Sequence, residues 1–265
     1  MMSISDVFAE CRAHRRAALI PYLTAGFPTE TMFLSLISSF VKSGADIIEI
    51  GIPFSDPLAD GPTIQYSSQR ALVNGITVDR TLQLLTQVDK RRSKPFVIMS
   101  YLNPLLQYGL ERFARKARRV GVCGLIIPDL IVDESAGIEK ICRRESIDMI
   151  HLLAPTTTPD RQKLILSRSR GFVYLVSVAG VTGAREKLPK ELNRWITDVK
   201  RKSQLPVAVG FGISGPEQAR QVARVADGVI VGSAIIDVIR NGSSTRKTIM
   251  AAQGFLGELK KALTK

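Results

Sequence analysis

The chain has 265 residues, of which 45% are hydrophobic, enough for a sizeable core and too many for a disordered chain. No apolar run reaches the ~18 residues of a membrane span, and the N-terminal stretch lacks the pattern of a secretion signal, so a cytoplasmic protein is expected. The net charge of +13 is spread over separated basic clusters, among them 15–16, 116–119 and 200–202, each on or beside a predicted helix and without interleaved aromatics; this reads as solvated helix faces rather than a nucleic-acid surface.

Residues 3–14 read as a short helix with Val7, Phe8 and Cys11 on one face. A strand follows at 18–23, then a turn at 24–28. Thr29 stands where it can cap a helix carrying Phe33, Leu36, Ile37, Phe40 and Val41 at helical spacing, closed by Gly44. The second strand, 46–50, runs into a loop with Pro53, Pro57, Gly61 and Pro62, an extra helix at 63–73 and a helix on Val78, Leu82, Leu85 and Val88. Strands at 96–101, 124–128, 148–154, 172–176, 206–209 and 227–231 alternate with helices at 111–120, 135–144, 159–170 and 192–200 and a closing helix at 244–261. The Ser-x-x-Glu spacing of Ser214 and Glu217 suggests a capping box after the seventh strand.

The strands are continuous apolar runs, as parallel strands buried on both faces require. Eight strand–helix units in about 250 residues predict a (β/α)8 TIM barrel. It is read as a single domain over 1–265, with an extra N-terminal helix and an extra helix after strand 2. A doubly wound open sheet is the structural rival, but the stretch TAGFP after the first strand is not its usual Gly-x-Gly-x-x-Gly turn. Cys11, Cys123 and Cys142 are odd in number and widely spaced, which fits a reducing compartment with no disulfide framework. With only His14 and His151, a multi-histidine metal site is not expected.

In a barrel, chemistry sits at strand C-terminal ends and in the loops beyond them. Glu49 lies near the end of strand two inside an apolar run, where a charge is costly without a task or a partner. Asp60 lies in the following loop, which can fold back so that both carboxylates face one cavity, their environments driving their pKa values apart. The bland alternatives are a glutamate satisfied by backbone donors and an aspartate capping the helix at Pro62. Gly210–Ser214 after strand seven and Gly232-Ser233 after strand eight match the places where barrels hold a phosphate. Gly180–Gly183 after strand six either completes that cradle or forms a lid. Tyr174 can place its hydroxyl in the cavity. Tyr22, Ile64, Tyr101, Leu153 and Phe211 either wall a flat ring or are simple core. The residues alone point to an enzyme that uses two carboxylates on a phosphorylated substrate, with the reaction open.

The segment 48–65, IEIGIPFSDPLADGPTIQ, resembles the signature of the tryptophan synthase alpha subunit family. Further matches lie at 21–28 (PYLTAGFP), 101–109 (YLNPLLQYG), 154–161 (APTTTPDR), 177–185 (SVAGVTGAR), 208–214 (AVGFGIS) and 231–235 (VGSAI). The resemblance implies a carbon–carbon lyase that splits indole-3-glycerol phosphate into indole and glyceraldehyde 3-phosphate. It implies delivery of the indole to a beta subunit for L-tryptophan synthesis, in an alpha2-beta2 assembly. Pyridoxal phosphate would belong to the beta partner, with no cofactor in this chain. By the same resemblance Glu49 is the general acid/base and Asp60 binds the indole N–H. Gly183, Gly212, Gly232 and Ser233 hold phosphate, Thr182 belongs to the lid, Tyr174 lines the site and Asp56 sits in the partner-facing loop. The alternative reading is a non-catalytic, ligand-responsive activator of the beta subunit. Two departures from the family pattern, Ile131 in place of a proline and Val178 in place of an arginine, bear on loop dynamics rather than chemistry.

Overall fold

The computed structural model describes residues 2–89, 94–176, 190–210 and 212–264. In chain order the elements are α1 (Ile4–Ala13), β1 (Ala18–Thr24), α2 (Glu30–Lys42), β2 (Ile48–Gly51), α3 (Pro62–Val73), α4 (Val78–Thr86), β3 (Phe96–Met99), α5 (Leu102–Tyr108) and α6 (Leu110–Arg119). They continue with β4 (Val122–Ile126), α7 (Ala136–Arg144), β5 (Asp148–Met149), β6 (Leu152–Leu153), α8 (Pro159–Arg168), β7 (Val173–Leu175) and α9 (Lys190–Lys202). The last are β8 (Val207–Val209), α10 (Pro216–Ala223), β9 (Gly228–Val231), α11 (Ser233–Arg240) and α12 (Thr245–Ala262).

All strand pairs are parallel, in the order β5-β4-β3-β2-β1-β9-β8-β7-β6. The two edges of this sheet, β5 and β6, are consecutive in the chain. The sheet therefore curls until its ends meet in one segment, whose first half pairs with β4 and whose second half pairs with β7. This is the (β/α)8 TIM-barrel class. The predicted fifth strand is one run in the sequence but two short strands in the structure, interrupted at Ile150 and His151.

Side chains alternate between two cores. Leu19, Leu23, Ile48, Ile50 and Ile98 face outward to the helices, joined by Phe33, Leu36, Ile37 and Phe40 of α2. Ala18, Ile20, Ile47, Val97, Ile126, Phe172, Tyr174, Ala208 and Ile230 fill the barrel. Helix α1 plugs the N-terminal end of that interior: Ile4, Val7, Phe8 and Cys11 belong to the inner core, and the Phe8 ring lies 5.7 Å from that of Phe172. The extra N-terminal helix thus replaces solvent at the open bottom of the cylinder. Burying each such side chain is worth roughly 1.5–3 kcal/mol.

Local signals act largely as their chemistry dictates. Thr29 accepts from the Met32 N–H at the start of α2, and Pro62 occupies the first turn of α3. The capping box at Ser214 is a correction. Gly215 is the N-cap of α10, and the Ser214 N–H and hydroxyl both donate to Gln218 Oε1, at 2.6 and 2.8 Å, while Glu217 turns to Arg220. Two helices carry no recognised signal. In α5, Pro104 falls in the first turn, where no intrahelical N–H is lost. In α11, the apolar residues Ile235, Ile236 and Ile239 follow so closely on β9 that they read as its continuation. The three cysteines are buried thiols, and no helix among the described residues is long and apolar enough to cross a membrane.

Candidate active site

Glu49 sits in β2 opposite Tyr22 of β1 and Val97 of β3, two residues after the inward-facing Ile47. Strand parity therefore turns its carboxyl into the barrel near the C-terminal mouth. It is 1% exposed, and its Oε2 has no hydrogen-bond partner. The alternative of a carboxylate satisfied by backbone donors is thus not what the fold builds. Burial, and next the charge of Asp60, push the Glu49 pKa from an ordinary 4.5 up to about 8.

Asp60 reaches the same space from the β2–α3 loop. It does not cap α3, because Gly61 is the N-cap and no side-chain cap bond exists. The Tyr101 hydroxyl accepts the Ala59 N–H at 2.8 Å and donates to the Asp60 carboxylate. Tyr101 in turn packs on Phe54, ring centroids 5.3 Å apart, so one tyrosine holds the loop at both its aromatic and its polar end. Burial raises Asp60 to about 6, and the Tyr101 bond opposes that rise.

Tyr22 and Tyr174 complete the wall. Both phenols are buried and held well above the ordinary tyrosine value, first by that burial. Next come the carboxylates, Asp60 then Glu49 for Tyr22, and Glu49 ahead of Asp60 for Tyr174. The Thr24 hydroxyl donates to Tyr22 at 3.2 Å and lies 2.6 Å from the Ser67 hydroxyl, tying β1 to α3 beneath the site. Two glycines make room for these rings. A Cβ at Gly51 would meet the Tyr22 oxygen at 2.0 Å, and one at Gly210 would meet the Tyr174 oxygen at 2.4 Å. Gly51→Ala is expected to displace Tyr22 and cost about 1–3 kcal/mol of overpacking. A urea denaturation midpoint measures this; an unchanged midpoint refutes the crowding.

Gly232 lies on the same rim, its Cβ direction pointing at Tyr22 Cβ and Ile64 Cδ1, 3.9 and 4.0 Å away. It is the partly exposed N-cap of α11, with no side-chain cap bond, and Ser233 is the first residue of that helix, exposed. Backbone N–H groups at a helix start, with the positive end of the helix dipole, suit a phosphate. Sequence reasoning identified Gly232 and Ser233 but missed the helix behind them. Gly212 is exposed between β8 and α10. Thr182, Gly183 and Phe211 lie outside the described residues, as do Gly180 and Val178. Leu153 is simple core beside β7, and Asp56 is exposed in the β2–α3 loop, bonded to the Ser55 hydroxyl at 2.5 Å.

His151 is buried with Nε2 3.2 Å from Glu139 Oε1, away from this mouth. His14 is exposed, its Nδ1 2.9 Å from the Glu10 carbonyl. Among the described residues no three of His, Cys, Asp and Glu cluster as metal ligands would. The structure thus brings together two carboxylates of unlike proton affinity, three tyrosines and a helix N-terminus at the strand-end mouth. Such a site can protonate a ring carbon, hold a developing cation and anchor a phosphate.

The sequence profile of the tryptophan synthase alpha chain family matches residues 8–264. The tryptophan synthase alpha chain of Dehalococcoides mccartyi is 44% identical over 99% of this chain and 100% of its own length. That of Carboxydothermus hydrogenoformans is 47% identical over 91% and 90%. Among solved structures, the Legionella pneumophila alpha chain superposes with a TM-score of 0.90 at 39% identity, covering 99% of this chain and 97% of that one. A chain of Mycobacterium tuberculosis tryptophan synthase gives 0.91 at 39%, covering all of both.

Proposed function

This chain belongs to the tryptophan synthase alpha chain family, and on that premise we propose how its residues divide the work. The activity is the lyase cleavage of indole-3-glycerol phosphate to indole and glyceraldehyde 3-phosphate, a step of tryptophan biosynthesis. Glu49, neutral near pH 7, gives its proton to the indole ring carbon that bears the glycerol chain. The ring becomes an indolenine, and ionised Asp60 accepts its N–H and faces its positive charge. The Glu49 carboxylate then takes the proton of the hydroxyl on the adjacent glycerol carbon. The carbon–carbon bond breaks, its electron pair returns to the ring, and the hydroxyl carbon becomes the aldehyde. One proton has moved from hydroxyl to ring carbon, and Glu49 is protonated again. Tyr22, Ile64, Tyr101, Tyr174 and Phe211 wall the indole, while Gly183, Gly212, Gly232 and Ser233 hold the phosphate under a lid containing Thr182.

The observation that carries this reading is the unsatisfied, buried Glu49 carboxyl within electrostatic reach of Asp60. Indole release tests it. The pH profile of kcat/KM is expected to rise through the Asp60 pKa of about 6 and fall through that of Glu49, about 8. In Asp60→Asn the upper limb is expected to move to lower pH, because the Asp60 charge is the second cause of the Glu49 elevation. A profile without a falling limb on both the acid side below pH 6 and the alkaline side above pH 8 sinks the assignment.

A beta subunit is the partner that family membership implies. Leu58, Leu106 and Ile131 are exposed by 92%, 52% and 47% on the strand-end loops and helices that follow β2, β3 and β4. We place the partner against that rim, with Asp56 in the contact, in a cytoplasmic alpha2-beta2 assembly whose pyridoxal phosphate belongs to the beta subunit. Chain 1–265 then acts as a single barrel domain. The activator-only alternative is not favoured, since both carboxylates are present at the mouth.

A further inference from the structure

At the opposite end of the barrel, the N-terminal ends of β4 and β5 border a cavity of about 500 Å³ between α1 and the last turns of α6, α7 and α8. Four arginines line it: Arg118, Arg143, Arg168 and Arg170. A cation in a helix's last turn is ordinary, because it faces the negative end of the dipole. That explains one arginine per helix, not their convergence on one concavity. Two of the four already have work. Arg168 Nη1 donates to the Val132 carbonyl at 2.6 Å, and Arg118 Nη1 lies 3.7 Å from Cys123 Sγ. Arg143 and Arg170 are exposed and make no side-chain hydrogen bond or ion pair within the described residues.

Two carboxylates share the wall. Glu139 is committed to the Ser135 hydroxyl and to His151. Asp148 is half-buried at the start of β5, near Arg170 and Arg118 but without a hydrogen bond to either. Four guanidinium groups against two carboxylates and three half-charge helix ends leave a modest positive balance. Free bidentate donors therefore matter more here than bulk field. We propose that this cavity binds a small phosphate ester. Arg143 and Arg170 would clamp the phosphate, and Asp148 would accept from a hydroxyl or amine of the same molecule. The cavity shares no residue with the catalytic mouth.

Calorimetric titration of the full chain with glucose 6-phosphate, and separately with inorganic phosphate, tests this at low salt. Wild-type protein is expected to show two phosphate-ester sites, one at the mouth and one here. Arg143→Gln/Arg170→Gln is expected to lose the second while keeping its rate of indole release. Glucose 6-phosphate should bind the second site at least tenfold more tightly than inorganic phosphate, and Asp148→Asn should erase that difference. The same stoichiometry in wild type and double variant overturns the site. So does an equal loss in Arg12→Gln/Arg15→Gln, at the second basic cavity beside Phe8, since general charge would then suffice. Equal affinity for the two anions overturns the role of Asp148.

Discussion

Glu49→Gln is expected to lower indole release by about 10²–10⁴-fold, the range for loss of a positioned general acid/base. The substitution keeps the side chain's shape in a site that is 1% exposed and removes only its ability to give and take a proton. Binding of the phosphorylated substrate should persist, because the helix start at Gly232 and Ser233 is untouched. The same variant has a second signature in stability. Glu49 is raised from 4.5 in the unfolded chain to about 8 in the folded one. The native state therefore holds a proton that the unfolded state has released. The glutamate's contribution to stability is intact below about pH 4.5 and is lost as pH rises toward 8. Asp60 adds the same trend between 3.8 and about 6. In Glu49→Gln the slope of stability against pH between about 5 and 8 should flatten, by an amount on the order of a few kcal/mol across that window. Near-normal turnover refutes the catalytic role; an unchanged slope refutes the burial argument.

The largest stability effect is expected at Asp46, far from the chemistry. Its carboxylate is 3% exposed, and one oxygen accepts from Arg16 Nη1 at 2.8 Å, Lys260 Nζ at 2.6 Å and the Leu19 N–H at 2.8 Å. Those contacts join three distant parts of the chain: residues 16–19 at the entry to β1, Asp46 just before β2, and α12 at the C-terminus. Alongside them, the Ala17 N–H donates to the Leu263 carbonyl at 3.0 Å, so α12 is laced to β1 by backbone as well. Burial lowers the Lys260 pKa, with Asp46 opposing that fall, while the Asp46 hydrogen bond and charge carry Arg16 above its ordinary value despite the opposing burial. Asp46→Ala leaves two partly buried cations facing each other, with only the more exposed Glu10, 3.8 Å from Arg16, as a remaining counter-charge. Breaking such a pair costs about 3–5 kcal/mol. For a chain of this size that is roughly a 6–20 °C drop in Tm, at 2–4 °C per kcal/mol. Thermal unfolding by circular dichroism measures it, and a Tm within a degree or two of wild type removes the network from the account of stability.

Much of the barrel was legible in one dimension because its causes are local. Apolar runs too continuous for a half-exposed sheet mean strands covered on both sides, and the spacing of Phe33, Leu36, Ile37 and Phe40 means a helix packed on one face. Glu49 was legible for a related reason. A charge inside an apolar strand run violates the pattern that makes the run a strand, so it stands out by itself, whereas Asp60, in the loop, gains meaning only beside it. The helix at 233–240 stayed hidden because its isoleucines extend the run of β9, and the turn that separates them is set by the backbone at Gly232. The broken fifth strand is equally invisible. Its interruption at Ile150 and His151 follows from where the two sheet edges meet, which is a property of closure and not of composition.

What the amino-acid order determined by itself was most of the element sequence, the parallel sheet and the identity of the unusual side chains. Only the tertiary structure decided which of them share a space. It set Tyr101 on the β2–α3 loop so that one hydroxyl serves both Ala59 and Asp60, and it opened Gly51 and Gly210 to the two phenols. It also gathered the arginines of three successive helices around one cavity. The physical reason is range. Propensity and hydrophobic period act over a few residues, whereas desolvation, crowding and charge pairing depend on distances through space that exist only once the cylinder has closed.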